Sequence, residues 1–364
     1  MSVNTTEILS RFALEGTLES IKPLGNGLIN DTYKVTTSAG APNYVLQRIN
    51  NAIFQDVALL QRNIEAVTRH IRAKLEAAGE SDIDRKVLRF IPLADGSGQT
   101  WCYIDGAYWR VSVFIPDAFT YDKVDPVYSE FAGQAFGRFE AQLADIPDTL
   151  GETIPDFHNM EFRARQLKDA IAADKAGRLA KPEVQAMLAD IQLYIEEMCL
   201  AERLHREGKL PKRICHCDTK VNNMMFDAEG RVLCVIDLDT VMPSFVFSDF
   251  GDFLRTAANT VAEDDPAIEK VAFRKDIFEA FTRGYLSSAS SFLTPVEKEN
   301  LPYGVMLFPF MQAVRFFTDY LNGDTYYKTT YPEHNWVRTR NQMALFHSVR
   351  SNETYMKAFI QKNA

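Results

Sequence analysis

The chain has 364 residues, 46% of them apolar, and a net charge of −9. This composition excludes a disordered chain, and the acidic balance argues against a general affinity for nucleic acid or an anionic membrane. No apolar run approaches the roughly 20 residues that span a bilayer. Five scattered cysteines and the lack of a secretory signal predict a cytoplasmic protein. We therefore expect a small-molecule partner, and the sequence leaves the oligomeric state open.

Strands and one long helix are predicted in the first third of the chain. The helix is predicted over residues 55–80, where apolar side chains recur every three or four positions, with Asp56 as its N-terminal cap and Gly79 at its end. The segment "TWCYI" and a turn at Asp105–Gly106 lie between the last two predicted strands. The five strands are predicted at 20–24, 29–37, 43–50, 87–93 and 108–115.

After Pro116 the spacing of apolar residues becomes helical, and it stays so to the C-terminus except in the segment 214–239. This change predicts an α+β protein with two lobes. A small antiparallel β lobe with one long helix would occupy 1–116, and a larger, mainly helical lobe would occupy 117–364. A doubly wound parallel sheet does not fit, because its strands and helices would alternate throughout.

The exceptional segment, "ICHCDTKVNNMMFDAEGRVLCVIDLD", contains two short apolar runs separated by a turn that includes Gly230. This spacing predicts a β-hairpin. Because a hairpin brings its two ends together, Asn223 before the first strand and Asp237 after the second should lie side by side. An amide oxygen beside a carboxylate suits Mg²⁺, which prefers oxygen ligands and substrate phosphates.

Asp218 and Lys220 lie on the loop that leads into the predicted hairpin. Phosphoryl transfer needs a carboxylate that orients the attacking hydroxyl, oxygen ligands for metal ions, and a cation near the transferring group. We assign Asp218 to the carboxylate, Asn223 and Asp237 to Mg²⁺, and Lys220 to the cation. The alternative is an ordinary polar turn in which the acids act as loop or capping residues.

The segment "HCDTKVNN" and Asp237 in "VIDLD" resemble the catalytic loop and metal-binding aspartate of the kinase-like phosphotransferases, which include aminoglycoside phosphotransferases and choline kinases. More narrowly, blocks from residue 12 to about residue 340 resemble the bacterial N-acetylhexosamine 1-kinases. These blocks include "FALEGTLESIKPLGNGLINDTY", "VIDLDTVMP", "DFGDFLR" and "RFFTDYLNGDTYYKTTYPEHNWVRTR". The resemblance implies a protein-kinase-like fold that uses ATP and Mg²⁺.

The resemblance also implies a nucleotide site, with phosphates at the glycine turn and adenine beside the linker after the fifth predicted strand. Kinases carry a lysine on the third strand, but this chain has only Gln47 or Arg48 there, and these point to opposite faces. Glu65 on the long helix would be the partner of that position, or else a solvated surface acid. The residues assigned to nucleotide binding are Gly25, Asn26, Gly27, Asn30, Gln47, Phe114 and Ile115.

Sugar recognition would come from the helical lobe. Arg315 and Tyr326 match positions that line the sugar pocket of the family, and Asp218 would hold the reacting hydroxyl. Leu28 stands where the family often has a histidine, a difference that bears on sugar preference. The implied reaction is ATP-dependent phosphorylation of the anomeric hydroxyl of N-acetylglucosamine or N-acetylgalactosamine. The alternatives are a kinase for another small alcohol, such as an aminoglycoside or choline, and a non-catalytic pseudokinase, which the missing lysine favours.

Asp249 opens a second candidate metal motif, the "DFG" that protein kinases use for magnesium. We assign the metal to Asp237, which directly follows a predicted strand, and expect Asp249 to brace the catalytic loop. Asp239 would either approach a second metal or cap its turn. His216 is expected to brace the same loop by hydrogen bonding.

Overall fold

The computed structural model of the protein describes residues 5–25, 30–121 and 124–363. Its strands are β1 (Leu18–Pro23), β2 (Asp31–Thr37), β3 (Tyr44–Ile49), β4 (Trp101–Ile104), β5 (Ala107–Val113), β6 (Arg213–Cys215), β7 (Met224–Phe226), β8 (Val232–Val235) and β9 (Met242–Ser244). Its helices are α1 (Thr5–Leu9), α2 (Val57–Ala77), α3 (Ile83–Lys86), α4 (Pro126–Leu143), α5 (Met160–Ala173), α6 (Pro182–Tyr194), α7 (Leu200–Arg206), α8 (Phe247–Ala257), α9 (Lys275–Ala289), α10 (Pro295–Glu299), α11 (Leu301–Asn322), α12 (His334–Arg350) and α13 (Glu353–Asn363).

The chain divides into two compact units, each built from three separate stretches of sequence. The first unit consists of Met1–Tyr121, Asp145–Pro155 and Asn223–Met242. The second unit consists of Asp122–Ala144, Asp156–Asn222 and Pro243–Ala364. The first break lies five residues after the predicted boundary at residue 116. The domains 1–116 and 117–364 stay a prediction.

The first unit contains a five-stranded antiparallel sheet with the strand order β1-β2-β3-β5-β4. One face of the sheet is apolar because alternate residues of β3 and β5, such as Leu46, Trp109 and Val111, point to the same side. This face packs against Ile8 of α1 and the nearby Phe12 to form a buried core. The predicted antiparallel sheet is confirmed.

The membership of this sheet differs from the prediction at one strand. Residues 87–93, predicted as the fourth strand, form isolated bridges instead of a named strand, although the N–H of Ile91 donates to the carbonyl oxygen of Val111 at 2.8 Å. Pro92 has no N–H to donate, so a regular ladder cannot continue there. The segment "TWCYI" supplies β4, which pairs with β5 across the predicted turn at Asp105–Gly106.

Helix α2 begins and ends close to the predicted positions. The Asp56 carboxylate accepts a hydrogen bond from the N–H of Leu59 at 2.8 Å, as an N-terminal cap does. Gly79 follows the last turn with φ of +68°, a conformation that glycine adopts without steric cost. Leu60 and Ile64 on the inner face are fully buried. The capping residues predicted from the sequence are therefore confirmed.

The second unit is mainly helical. Helix α11 packs against α5, α8 and α12, and α4 packs closely against α9. The close approach of α4 and α9 requires glycine, since a Cβ at Gly133 would lie 2.1 Å from the carbonyl oxygen of Phe281. Among the described residues, no helix combines the length and the apolar character needed to cross a membrane.

Candidate active site

The predicted hairpin is present and brings Asn223 next to the chain that leads to Asp237. Strands β7 and β8 pair antiparallel with Met224 opposite Val235. The N–H of Ile236 donates to the carbonyl oxygen of Asn223 at 2.9 Å. Asn223 and Asp237 therefore lie at the same end of the hairpin, as the sequence predicts.

The two residues at this end of the hairpin carry side-chain oxygens of the kind that Mg²⁺ prefers. Asn223 is 6% exposed and offers an amide oxygen, whereas Asp237 is exposed and offers a carboxylate. Asp237 takes φ 59° and ψ 55°, a left-handed conformation that is uncommon for residues other than glycine. Six other aspartates of the described residues, such as Asp82 and Asp105, also have a positive φ, so the conformation alone does not mark a functional site. The assignment of both residues to the metal stays a prediction.

Hydrogen bonds and ring contacts hold the loop that carries Asp218 in the second unit. The N–H of Asp218 donates to Nδ1 of His216 at 3.2 Å, and the His216 ring packs against Phe136 and Phe139 at centroid distances of 5.5 Å and 5.9 Å. The bracing role predicted for His216 is confirmed. Lys220 Nζ lies 2.8 Å and 2.9 Å from the two carboxylate oxygens of Asp218. Asp218 stays accessible, with 24% of its side chain exposed.

Asp249, at the start of α8, is fully buried behind the same loop. Its two carboxylate oxygens accept hydrogen bonds from the N–H groups of His216 and Cys217, each at 2.7 Å, and its carbonyl oxygen accepts one from the Thr219 hydroxyl at 2.9 Å. Burial raises the pKa of Asp249, while His216 and the two N–H groups act in the opposite direction. Both carboxylate oxygens hold loop backbone, which confirms the structural role predicted for Asp249.

A cavity within the second unit opens beside Asp218 and contains about 390 Å³ of empty space, counting its open mouth. Its wall combines aromatic faces, an amide and charged groups, a combination typical of small-molecule sites. The lining side chains include Phe157, His158, Asp252, Arg255, Gln312 and Arg315. The predicted residues Asp218 and Arg315 thus line one cavity.

The two arginines of the cavity wall differ in how they are paired. Arg255 donates to Asp252 at 2.9 Å and to Glu263 at 2.6 Å, so its charge is neutralised within the fold. Arg315 donates to the amide oxygen of Gln312 at 3.2 Å, and no carboxylate of the described residues forms an ion pair with it. The cavity therefore presents one cation whose charge its surroundings do not neutralise.

His158, on the same wall, is neutral at physiological pH. Burial holds its pKa well below the usual range, and the nearby Arg315, Arg163 and Arg255 lower it further. Its Nδ1 lies 3.0 Å from the Ser248 hydroxyl, with which it forms a hydrogen bond. His158 therefore shapes the wall without adding charge.

Residues 20–287, well over half of the chain, match the model of the Phosphotransferase enzyme family. The chain belongs to this family. Similar solved structures include an aminoglycoside phosphotransferase from Alicyclobacillus acidocaldarius (13% identity, 94% of both chains covered, TM-score 0.58). A choline kinase from Cryptosporidium parvum is 11% identical over 94% of this chain and 92% of its own, with a TM-score of 0.56. A spectinomycin phosphotransferase solved with ADP and spectinomycin is 12% identical over 96% and 99%, with a TM-score of 0.56.

Membership of the family makes this protein a phosphotransferase, and the prediction of an ATP-dependent small-molecule kinase that acts on an alcohol group is confirmed. The predicted α+β, protein-kinase-like fold is confirmed as well, because the solved structures share it over nearly the whole chain. At identities this low they show the fold alone.

The nucleotide residues predicted for this phosphotransferase belong to the first unit. Part of the predicted glycine turn lies outside the described residues: Asn26, Gly27 and Leu28. Gly25 takes φ of +69°. In the predicted adenine linker, Ile115 is buried and the Phe114 ring lies 4.0 Å from Nζ of Lys34. The roles of these residues in nucleotide binding stay predictions.

The two candidate replacements for a third-strand lysine lie on opposite faces of β3. Arg48 is about half exposed and pairs with Asp31 at 3.3 Å. Gln47 lies on the other face, directly opposite Arg110 of β5, and accepts a hydrogen bond from Nε of Arg110 at 3.0 Å. Arg110 lies on this face, as does Lys34 of β2, which is directly opposite Val45. Sequence reasoning missed Arg110. The available signal was a single charge inside the apolar strand "YWRVSV".

Asp239 is the buried partner of that arginine. Its Oδ1 lies 2.6 Å from a terminal nitrogen of Arg110, and its Oδ2 accepts a hydrogen bond from Nδ2 of Asn30 at 2.6 Å. The oxygen of Asn30, in turn, accepts from the N–H of Asn50 at 2.9 Å. Asn30, predicted to bind nucleotide, thus belongs to a buried network in the first unit.

Tyr326 and its neighbour Tyr327 take different positions relative to Arg315. The Tyr326 side chain is 69% exposed and is not among the residues that line the cavity. The Tyr327 hydroxyl accepts a hydrogen bond from Gln312 at 3.1 Å, and the Arg315 guanidinium lies 5.7 Å from its ring centroid. Sequence reasoning missed Tyr327 and Gln312, because adjacent tyrosines give no sign of which one turns inward. Sugar binding by Tyr326 stays a prediction.

Proposed function

We propose that this phosphotransferase transfers the γ-phosphoryl group of ATP to the anomeric hydroxyl of an N-acetylhexosamine, N-acetylglucosamine or N-acetylgalactosamine. The products are ADP and the sugar 1-phosphate. The bond between the γ-phosphorus and the β–γ bridging oxygen breaks, and a bond forms between that phosphorus and O1. The C1–O1 bond stays intact, so the configuration at C1 is retained.

Asp218 orients the O1 hydroxyl and accepts its proton as O1 attacks. Its accessibility and its position on the cavity wall support this role. Lys220, whose ammonium group lies beside the same carboxylate, neutralises charge that develops on the transferring group. Asn223 and Asp237 hold Mg²⁺, which when bound neutralises the charge on the ATP phosphates.

The observation that carries the choice of acceptor is the charge of the cavity beside Asp218. An N-acetylhexosamine is neutral and offers hydroxyls, an amide carbonyl and apolar C–H faces. Arg315 and Gln312 can donate to its oxygens, while Phe157 offers an aromatic face. A cationic acceptor would meet the unneutralised charge of Arg315, because Asp252 is already paired with Arg255. The resemblance of the C-terminal block to the sugar 1-kinases supports the same choice.

Two alternatives remain as outcomes of the test. The relatives named as aminoglycoside phosphotransferases and a choline kinase suggest a different small alcohol. A binding module without turnover is the other alternative. The presence of Asp218, Asn223 and Asp237, residue types that the reaction needs, argues against it.

The decisive experiment measures ADP release with N-acetylglucosamine, N-acetylgalactosamine, glucose, galactose, spectinomycin and choline, followed by phosphorus NMR of the product. We expect the N-acetylhexosamines to give the highest kcat/KM and a 1-phosphate signal. Asp218→Asn is the matched control, because it keeps the shape of the side chain but removes the proton acceptor. It should lower kcat by roughly 10²–10⁴-fold while the protein still binds the sugar.

A higher kcat/KM with spectinomycin or choline would replace the sugar assignment by the corresponding alcohol. Binding of ATP without release of ADP in the presence of any of these acceptors would favour the non-catalytic module. A phosphate attached to a hydroxyl other than O1 would refute the proposed position of transfer.

A further inference from the structure

Arg110 is the one charged residue of β5, and its side chain is only 3% exposed. Burying an unpaired guanidinium is costly, so the fold must supply partners for it. Two are present in the first unit. Nε donates to the amide oxygen of Gln47 at 3.0 Å, and a terminal nitrogen lies 2.6 Å from the Asp239 carboxylate, which is 4% exposed. Arg110 thus ties β3 and β5 of the sheet to the turn that carries Asp239.

That turn directly follows Asp237, the residue assigned to the metal. Asp239 is anchored through its side chain and its backbone. Its carboxylate contacts Arg110 and Asn30. Its carbonyl oxygen accepts a hydrogen bond from the Thr153 hydroxyl at 3.1 Å. Asp237, two residues earlier, has a left-handed backbone conformation. Such a conformation persists where the surrounding structure fixes it from several sides. The anchors of Asp239 lie two residues along the chain from Asp237.

The usual ion pair of kinases, between a third-strand lysine and an acid on the helix, is absent from the described residues. Gln47 is neutral, and Arg48 points to the opposite face. Glu65 of α2 accepts a hydrogen bond from the Thr100 hydroxyl. The buried ion pair between Arg110 and Asp239 joins the sheet to the turn that follows Asp237, and not to helix α2.

We propose that Arg110 is a positioning residue for phosphoryl transfer: by anchoring Asp239 it fixes the turn that presents Asp237 to the metal ion. Unlike the lysine of kinases, which pairs with an acid on the helix, Arg110 acts from β5 through an acid of the turn. This inference rests on the proposed function for its metal site but not for the identity of the acceptor. Groups that orient metal ligands typically change metal affinity ten- to a hundred-fold when they are removed.

The test uses the full-length protein and measures binding of Mn²⁺, as a probe for Mg²⁺, by electron paramagnetic resonance in the presence of ADP and without acceptor. Arg110→Met should weaken Mn²⁺ binding by about tenfold or more and lower kcat, while the KM for the acceptor stays unchanged. Arg110→Lys should recover part of the affinity, because an ammonium group can still pair with Asp239. Asp239→Asn, which keeps the size of the side chain, should repeat the loss and covers the case in which Arg110→Met does not fold.

Arg213→Met is the control, since Arg213, with 19% of its side chain exposed, pairs with the fully buried Glu297 in the second unit, at 2.9 Å and 3.0 Å. It should lower Tm without changing Mn²⁺ affinity. Both quantities should be measured below the Tm of the variants. If Arg110→Met and Asp239→Asn leave Mn²⁺ affinity and kcat unchanged, the proposal is wrong and the pair only stabilises the fold. If the wild type binds Mn²⁺ with ADP but phosphorylates no N-acetylhexosamine, the assignment of the acceptor is wrong. The role of Arg110 is then tested by the Mn²⁺ affinities of the wild type and the variants alone.

Discussion

The end of the hairpin and the start of α8 each carry an aspartate that sequence motifs nominate as a metal ligand, yet the two sites are built differently. Asp237 is exposed and takes a left-handed backbone conformation at the end of β8. Asp249 is fully buried, and both of its carboxylate oxygens accept backbone N–H groups of the catalytic loop. The difference favours Asp237 over Asp249 as the ligand, because a sequence motif does not tell whether its carboxylate is accessible. The oxygens of a ligand must also be accessible to the ion.

The variant Asp237→Asn gives the strongest test of this difference between the two aspartates. Removing the negative charge from the proposed metal site should lower kcat by roughly 10³-fold. Tm should change little, because substitutions of exposed side chains usually have small effects on stability. A titration of kcat against Mg²⁺ concentration, together with thermal unfolding, measures both effects. A variant with wild-type kcat and unchanged Mg²⁺ dependence would contradict the assignment.

Asp249→Asn should give the opposite result. The amide can accept at only one of the two N–H groups and turns a donor toward the other, which should lower the free energy of unfolding by about 2–3 kcal/mol. The folded protein should keep kcat within a few-fold of the wild type and keep its Mg²⁺ dependence. Denaturant unfolding and kcat per active site are the measurements. Loss of Mg²⁺ dependence at near-normal stability would reverse the roles of the two aspartates.

A smaller effect tests the buried surroundings of Asp249. Burial and the charge of Asp249 raise the pKa of Glu140 well above the usual range, and the Tyr285 hydroxyl donates to it. The folded state therefore holds a proton that the unfolded state releases above about pH 4.5, so this site loses stability as pH rises. Glu140→Gln resembles the protonated form. The Tm of this variant minus that of the wild type should become more positive from pH 5 to pH 8.

Glu183→Gln provides the control for this pH experiment, because Glu183 is an exposed acid at the start of α6 and its replacement changes the net charge equally. Its Tm should follow the wild-type profile. A pH profile of Glu140→Gln that also parallels the wild type would show that Glu140 is ionised in the folded protein.

The features that could be predicted from the sequence are those that a short, continuous segment determines. The hairpin register follows from two apolar runs and a turn, so the shared end of Asn223 and Asp237 was predictable. The caps of α2 at Asp56 and Gly79 depend on residues next to the helix and were also predictable. The prediction of a strand at 87–93 was wrong because Pro92 interrupts the hydrogen-bond ladder even within an apolar run.

The remaining features depend on partners far apart in sequence. Arg110 and Asp239 are 129 positions apart, and neither residue carries a local signal that names the other. The choice between Gln47 and Arg48 needed the register of β3 against β5, which fixes the face of each side chain. The inward position of Tyr327 depends on Gln312 of α11. Such contacts become visible only when the elements are placed in space.

The discontinuity of the first unit has a consequence for biosynthesis. Its sheet is encoded before residue 121, but the hairpin and the partner of Arg110 are encoded at 223–242. A ribosome must therefore translate on from residue 121 to residue 239 before the sheet can bury its arginine in an ion pair. Until then Arg110 in β5 lacks its carboxylate partner. A fragment that stops near residue 121 would therefore be a poor candidate for recombinant expression.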